Sequence, residues 1–250
     1  MTVAALYRYP VKSLQGQTQS RLDVAAGGVV GDRRWGMVDE QTGKLASAKR
    51  FARLFQAVGH EDRVVLPDGR SVGLDDVDAA SAALSSWLER PVRLIAAGQS
   101  AAGAGARGAL GASGGDGPLA YQMTFDPPND EAELYDIPVP PGTLVDLAAV
   151  HVVSAATLRH CARMRPDLDW SVRRFRPNVV VDGELEPYEE DGWVGRAFTV
   201  GGLTLRVDQP TVRCAMPLRA QPALGTEPAL AAQPALFEAP SALNAVSPNH

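Results

Sequence analysis

The sequence predicts a mainly β fold of α+β character, built from barrels or strongly bent sheets rather than from βαβ units. Strand-like runs dominate the chain, tight turns join them, and helix-forming stretches are few.

In chain order, a first strand runs up to Pro10. "RWGMV" and "KLASA" flank the turn "DEQTG", and "RVVL" and "RSVGL" flank "PDG", a strong hairpin signal. "DDVDAASAALSSWLE" reads as a helix, with acids at its positive end and apolar residues at helical spacing. "PVRLIAA" closes a first region, 1–96, as a strand. A linker or loop follows over 97–118; its residues 98–117 hold eight Gly and six Ala and offer nothing to anchor a core. Those glycines lack the phosphate-loop ending GK[ST] and its strand–helix context.

A second region, 119–220, opens with the ordered but irregular "FDPPNDEAELYDIPVPPGTLVD". "VHVV" reads as a buried strand, after which Ser154 caps a helix that Pro166 stops. "NVVVDG" is another buried strand, and "FTV" and "LTLRV" make a hairpin across Gly-Gly. In the tail, 221–250, prolines recur at 222, 228, 234 and 240, which suits neither a helix nor an interior strand. That tail is expected to be extended or disordered.

The 250 residues allow one large domain or two small ones. A formal net charge of −5 argues against nucleic acid or an anionic membrane as a partner. No apolar run approaches the roughly 18 residues of a membrane helix, and "MTVAALYRYPVKS" does not read as a signal peptide. Cys161 and Cys214 form no CxxC, so a disulfide framework is not expected and a reducing cytoplasm fits.

Three basic runs set cations beside turns or prolines: Lys12 and Ser13 in "YPVKS", Arg33 and Arg34 in "GDRRW", and Arg173, Arg174, Arg176 and Asn178 in "RRFRPN". Guanidinium forks and ammonium groups suit phosphate oxygens. A fourth segment, "QPTVRCAMP", puts Thr211 and Arg213 around the thiol of Cys214 at a strand end. Cationic neighbours are expected to favour the thiolate, a soft metal ligand. Other candidates read as structural. Cys161 lies on an apolar helical stripe, and His60, His151 and His160 lack zinc spacing. Glu189, Glu190 and Asp191 form a solvated turn, and Ser154 is a helix cap rather than a nucleophile.

The runs "YPVKSLQG", "GDRRWGMVDEQTGKLASAKR", "VDLAAVHVVSAATL", "FRPNVVV", "EEDGWVG" and "VRCAMP", in that order over about residues 1–219, resemble the MOSC family. That domain is named for the C-terminal part of molybdenum cofactor sulfurase. The pattern is most similar to two-part members with an N-terminal MOSC β-barrel domain, such as the mitochondrial amidoxime-reducing component and bacterial relatives. The resemblance implies molybdenum cofactor, with Cys214 as metal ligand and catalytic residue. Lys12, Ser13, Arg33, Arg176, Asn178, Thr211 and Arg213 would hold the cofactor; pyridoxal phosphate is not expected. It implies an oxidoreductase that reduces small N-hydroxylated substrates, fed by a separate iron–sulfur or flavin electron-donor protein. The alternatives are a sulfur carrier using a persulfide on Cys214, or a degenerate member without catalysis. The family's closing strands after the cysteine are expected to be missing here.

Overall fold

A computed structural model of the chain describes residues 1–98, 118–129, 131–212 and 214–244. Nearly all of the expected linker, and Arg213, lie outside the described residues.

The chain begins with β1 (Thr2–Arg8), β2 (Gln17–Gln19), β3 (Val24–Ala25), β4 (Gly28–Val29), β5 (Trp35–Asp39) and β6 (Lys44–Leu45). Next come β7 (Val58–Gly59), β8 (Arg63–Val65), β9 (Ser71–Gly73), α1 (Val77–Leu88) and β10 (Val92–Ala96). Beyond the linker follow β11 (Ala120–Met123), β12 (Tyr135–Pro138), β13 (Val152–Ser154), α2 (Ala155–Met164), α3 (Val172–Phe175) and β14 (Val179–Asp182). The hairpin β15 (Ala197–Val200) and β16 (Leu203–Arg206) and the short α4 (Ala239–Leu243) complete the described elements.

The two larger sheets each mix strands from before and after residues 97–118. One has the order β13-β14-β1-β2, and the other β10-β5-β6-β11-β12. In the first, β1 runs antiparallel to β14 with Leu6 opposite Val179, and a register shift falls between Val3 and Ala5. The expected hairpins form as β5–β6, β8–β9 and β15–β16. The expected helices form too. Asp76 caps α1 by accepting from the Ala79 amide at 3.0 Å, and Ala80, Leu84 and Trp87 face the core. Ser154 caps α2 by accepting from the Thr157 amide at 3.4 Å, and Cys161 is buried on its inner face. Among the described residues, no helix is long and apolar enough to cross a membrane.

Three expectations need correction. The "VHVV" strand is only half-buried up to Ser154, because β13 is the edge of its sheet. The irregular proline-rich segment contains β12, an edge strand on β11 whose terminal Pro138 needs no ladder donor. Over its described residues, 221–244, the tail is packed rather than disordered. Leu230, Leu236, Phe237 and Ala239 are buried, the last three in a cluster with Cys161, Trp170, Ala215 and Leu218. Gln221 and Leu230 exchange backbone hydrogen bonds of 2.9 and 2.8 Å.

The tail is held from α3 by two buried arginines. Arg173 donates to the carbonyls of Pro228 at 2.9 Å and Pro222 at 2.7 Å, and its Nε lies 3.1 Å from Glu227. Arg174 donates to the carbonyls of Pro217 at 2.9 Å and Ala231 at 3.0 Å, and to Asp169 at 3.1 Å. Proline removes an amide donor but leaves its carbonyl free to accept. A chain too proline-rich for a strand can therefore still be pinned by side-chain donors. Among the described residues no strand follows β16.

Candidate functional site

Pro10 follows β1 and opens a turn that is fixed by backbone bonds to its neighbours. The Lys12 amide donates to Trp35 O at 2.8 Å, and the Gln15 amide to Ala57 O at 2.9 Å. Gly16 lets the Tyr9 ring lie on the chain, because a Cβ there would stand 2.3 Å from the ring. Three predicted site residues hold left-handed backbone: Ser13 with φ 69°, Arg33 with φ 44° and Arg176 with φ 56°. Such conformations cost non-glycine residues about 1–2 kcal/mol and concentrate at functional sites.

The buried Tyr9 ring joins two of these residues. The Arg33 guanidinium carbon lies 4.5 Å from its centroid and that of Arg176 lies 4.2 Å away. Arg176 also donates to Leu14 O at 2.7 Å. Arg33 is ion-paired with Asp32, which accepts from the Tyr9 amide at 2.7 Å.

Asn178 sits beneath this pair with all four of its valences engaged. Its Nδ2 donates to Tyr7 O at 3.3 Å and Asp32 at 3.0 Å; its Oδ1 accepts from the His151 amide at 3.1 Å and Arg33 at 3.4 Å. It therefore reaches the site through Arg33 and has no spare donor of its own.

A second knot lies beside the first. Lys12 donates to Leu144 O at 2.8 Å and to Asp146 Oδ1, while Lys49 meets Asp146 Oδ2 at 2.6 Å. Both ammoniums lie over the Tyr121 ring, at 5.0 and 3.8 Å from its centroid. Burial pulls Lys12 down to about 8, although the Asp146 carboxylate opposes it, so it stays largely charged at neutral pH. Burial works to raise Asp146, but the two lysines overcome it and hold the carboxyl well below the usual range.

The half-buried Cys214 packs against two hydrophobic clusters, one containing Met37 and Leu54, the other Tyr121 and Leu144. Burial pushes its thiol up; Lys49 pulls it back without cancelling the shift. That corrects the expectation of a favoured thiolate: desolvation dominates, and the charge of Lys49 is already shared with Asp146. Thr211 contacts His151 Nε2 at 3.1 Å. Burial, with Arg33 next, pulls that histidine down to about 4.

These groups form one electrostatic neighbourhood. Lys12 feels Arg33, Arg33 feels Asp146, and Cys214 feels Lys49, Asp146 and Arg176. Lys12, Lys49, Arg33 and Arg176 bring four positive charges against the two of Asp32 and Asp146, a surplus of two. Three cations of the predicted basic runs lie elsewhere. Arg173 and Arg174 are spent on the tail, and they face inward because α3 packs beneath it. Arg34 is exposed and lies over Trp35. Sequence reasoning missed Asp146, Lys49, Tyr9 and Tyr121. Asp146 and Lys49 do fall within the runs "VDLAAVHVV" and "KLASAKR" that carried the resemblance.

The MOSC domain matches residues 141–238, and the MOSC N-terminal β-barrel domain matches residues 1–64. The chain belongs to the MOSC family. No curated protein matches it. The family includes molybdenum-cofactor-binding proteins, and the MOSC domain is associated with that cofactor. The MOSC match contains Asp146, Arg176, Asn178, Thr211 and Cys214, while Lys12, Ser13, Arg33 and Lys49 fall in the N-terminal match. The candidate site is thus assembled from both matched regions, where β1 enters the sheet of β13 and β14. The MOSC match also runs through most of the packed tail.

Proposed function

We propose that this MOSC protein binds molybdenum cofactor beside Cys214 and reduces small N-hydroxylated compounds. The observation that carries the reading is a lone thiol next to a buried surplus of two positive charges. Unpaired buried charge is costly, and an anionic ligand would relieve it. Among the described residues no group of three His, Cys, Asp or Glu could hold a metal ion. A metal taken by Cys214 would therefore bring its other ligands with it, as a pterin dithiolene does.

In this reading Cys214 Sγ would ligate the metal, and Arg33, Arg176, Lys12 and Ser13 would hold the phosphate tail. The Tyr9 ring keeps the two guanidiniums in place, and Asn178 orients Arg33. Bound cofactor supplies two-electron redox chemistry at molybdenum. Reduction of an N-hydroxylamine breaks its N–O bond, consumes two electrons and two protons, and releases an amine and water. The electrons would come from a separate iron–sulfur or flavin protein, since the chain's two cysteines cannot hold a cluster. Lys49 Nζ, held above its ordinary range by Asp146 despite burial, keeps a proton beside the thiol. With a chemical reductant and a model N-hydroxylated substrate, Cys214→Ser should fold and lose turnover. Full turnover by that variant would refute the metal-ligand role.

A further inference from the structure

The Lys12 and Lys49 side chains are only 4% and 5% exposed, and one carboxylate holds both, one oxygen to each. The Asp146 side chain is itself 34% exposed. Asp146 is therefore the most exposed side chain of this cluster. The lysines do not depend on it alone for their position. Lys12 is anchored to Leu144 O at 2.8 Å, and both ammoniums rest on the Tyr121 ring. The geometry is that of a two-oxygen anion clasped between two cations, with the anion supplied by the chain.

We propose that Asp146 is a built-in competitor for the ligand of this site: its carboxylate occupies Lys12 and Lys49 until a polyanion displaces it, and so sets the preference for polyanions. The proposal rests on the reading above that an anion binds beside Cys214. With Asp146 in place, the two lysines keep one net positive charge. A monoanion offers them nothing that the tethered carboxylate does not already offer at high effective concentration. A phosphate dianion brings more charge and more acceptor oxygens. Being partly exposed, Asp146 can be released into water at less cost than a sealed carboxylate could.

Asp146→Asn keeps the size of the side chain and removes its charge. The test uses the full chain, made in a host that lacks molybdenum cofactor and titrated with inorganic phosphate. Melting temperature is read against chloride at matched ionic strength. Without phosphate the variant should melt below the unsubstituted protein, and it should bind phosphate about tenfold more tightly. If both proteins bind phosphate but the variant binds equally or less tightly, Asp146 is a positioning group and the proposal falls while the anion site stands. If phosphate stabilises neither, both readings fall. Should the single variant fail to fold, Asp146→Asn/Lys49→Gln restores the charge balance. Acetate should then raise the melting temperature of the double variant but not of the unsubstituted protein; an inert acetate would overturn the proposal.

Discussion

Ser13, Arg33 and Arg176 hold left-handed backbone, a conformation that glycine adopts without the Cβ clash. Ser13→Gly should therefore raise stability by about 1 kcal/mol in chemical denaturation. The same variant should weaken phosphate binding, a trade that a purely structural serine would not show. His151 gives a second test. Its folded value near 4 lies below the ordinary 6.5, so the unfolded chain binds the extra proton across that window. Stability present above pH 6.5 is thus lost as pH falls toward 4, by on the order of 3 kcal/mol. His151→Gln should flatten the stability curve over that range; an unchanged slope would show that other groups cause the loss. At this scale the sequence revealed residues whose neighbours are unusual, such as Lys12 after "YPV" and Arg176 before Pro177. It concealed Asp146 and Lys49, because an isolated acid or base reads as solvated surface. Only the fold brings these two together across 97 positions.

The elements were legible wherever local chemistry decides them. "PDG" and Gly-Gly turn β8 into β9 and β15 into β16, and Asp76 and Ser154 start α1 and α2. The tail was not legible, because leucines at 224, 230 and 236 match neither helical nor strand spacing. Its partners are guanidiniums about 50 residues upstream: Arg173 lies 49 positions from Pro222, and Arg174 lies 57 from Ala231. Arg174 is fully buried and also binds Pro217 O, three residues beyond Cys214. Arg174→Met would leave the Pro217 and Ala231 carbonyls without this donor, at about 1–3 kcal/mol for each unsatisfied group, while the partly exposed Asp169 turns to water. The expected loss in urea denaturation is therefore at least about 2 kcal/mol. A change below about 1 kcal/mol would mean that those carbonyls find other donors.

Across the whole molecule, β1 lies between β2 and β14, and β11 joins the sheet of β5 and β6, so neither the strands before residue 97 nor those after residue 118 complete a larger sheet alone. The mainly β class was readable from strand and turn signals. This interleaving was not, because pairings across long sequence separations leave no local pattern. The tail belongs to the same assembly, covering a cluster that includes Cys161 and Trp170. A chain ending at Gln221 would lose the buried Leu236 and Phe237. At about 2 kcal/mol for each side chain, its melting temperature should fall by about 10 °C. An unchanged melting temperature would show that the tail contributes nothing. Cys214 and its cations are proposed to hold molybdenum cofactor. That proposal is tested most directly by elemental and pterin analysis of the full chain and of Cys214→Ser, both made in a cofactor-competent host. The unsubstituted chain should carry about one molybdenum with its pterin, and the variant should lose the metal, since a hydroxyl is a harder ligand than a thiolate. Unsubstituted protein free of molybdenum and pterin, or equal metal in both proteins, would contradict the proposal.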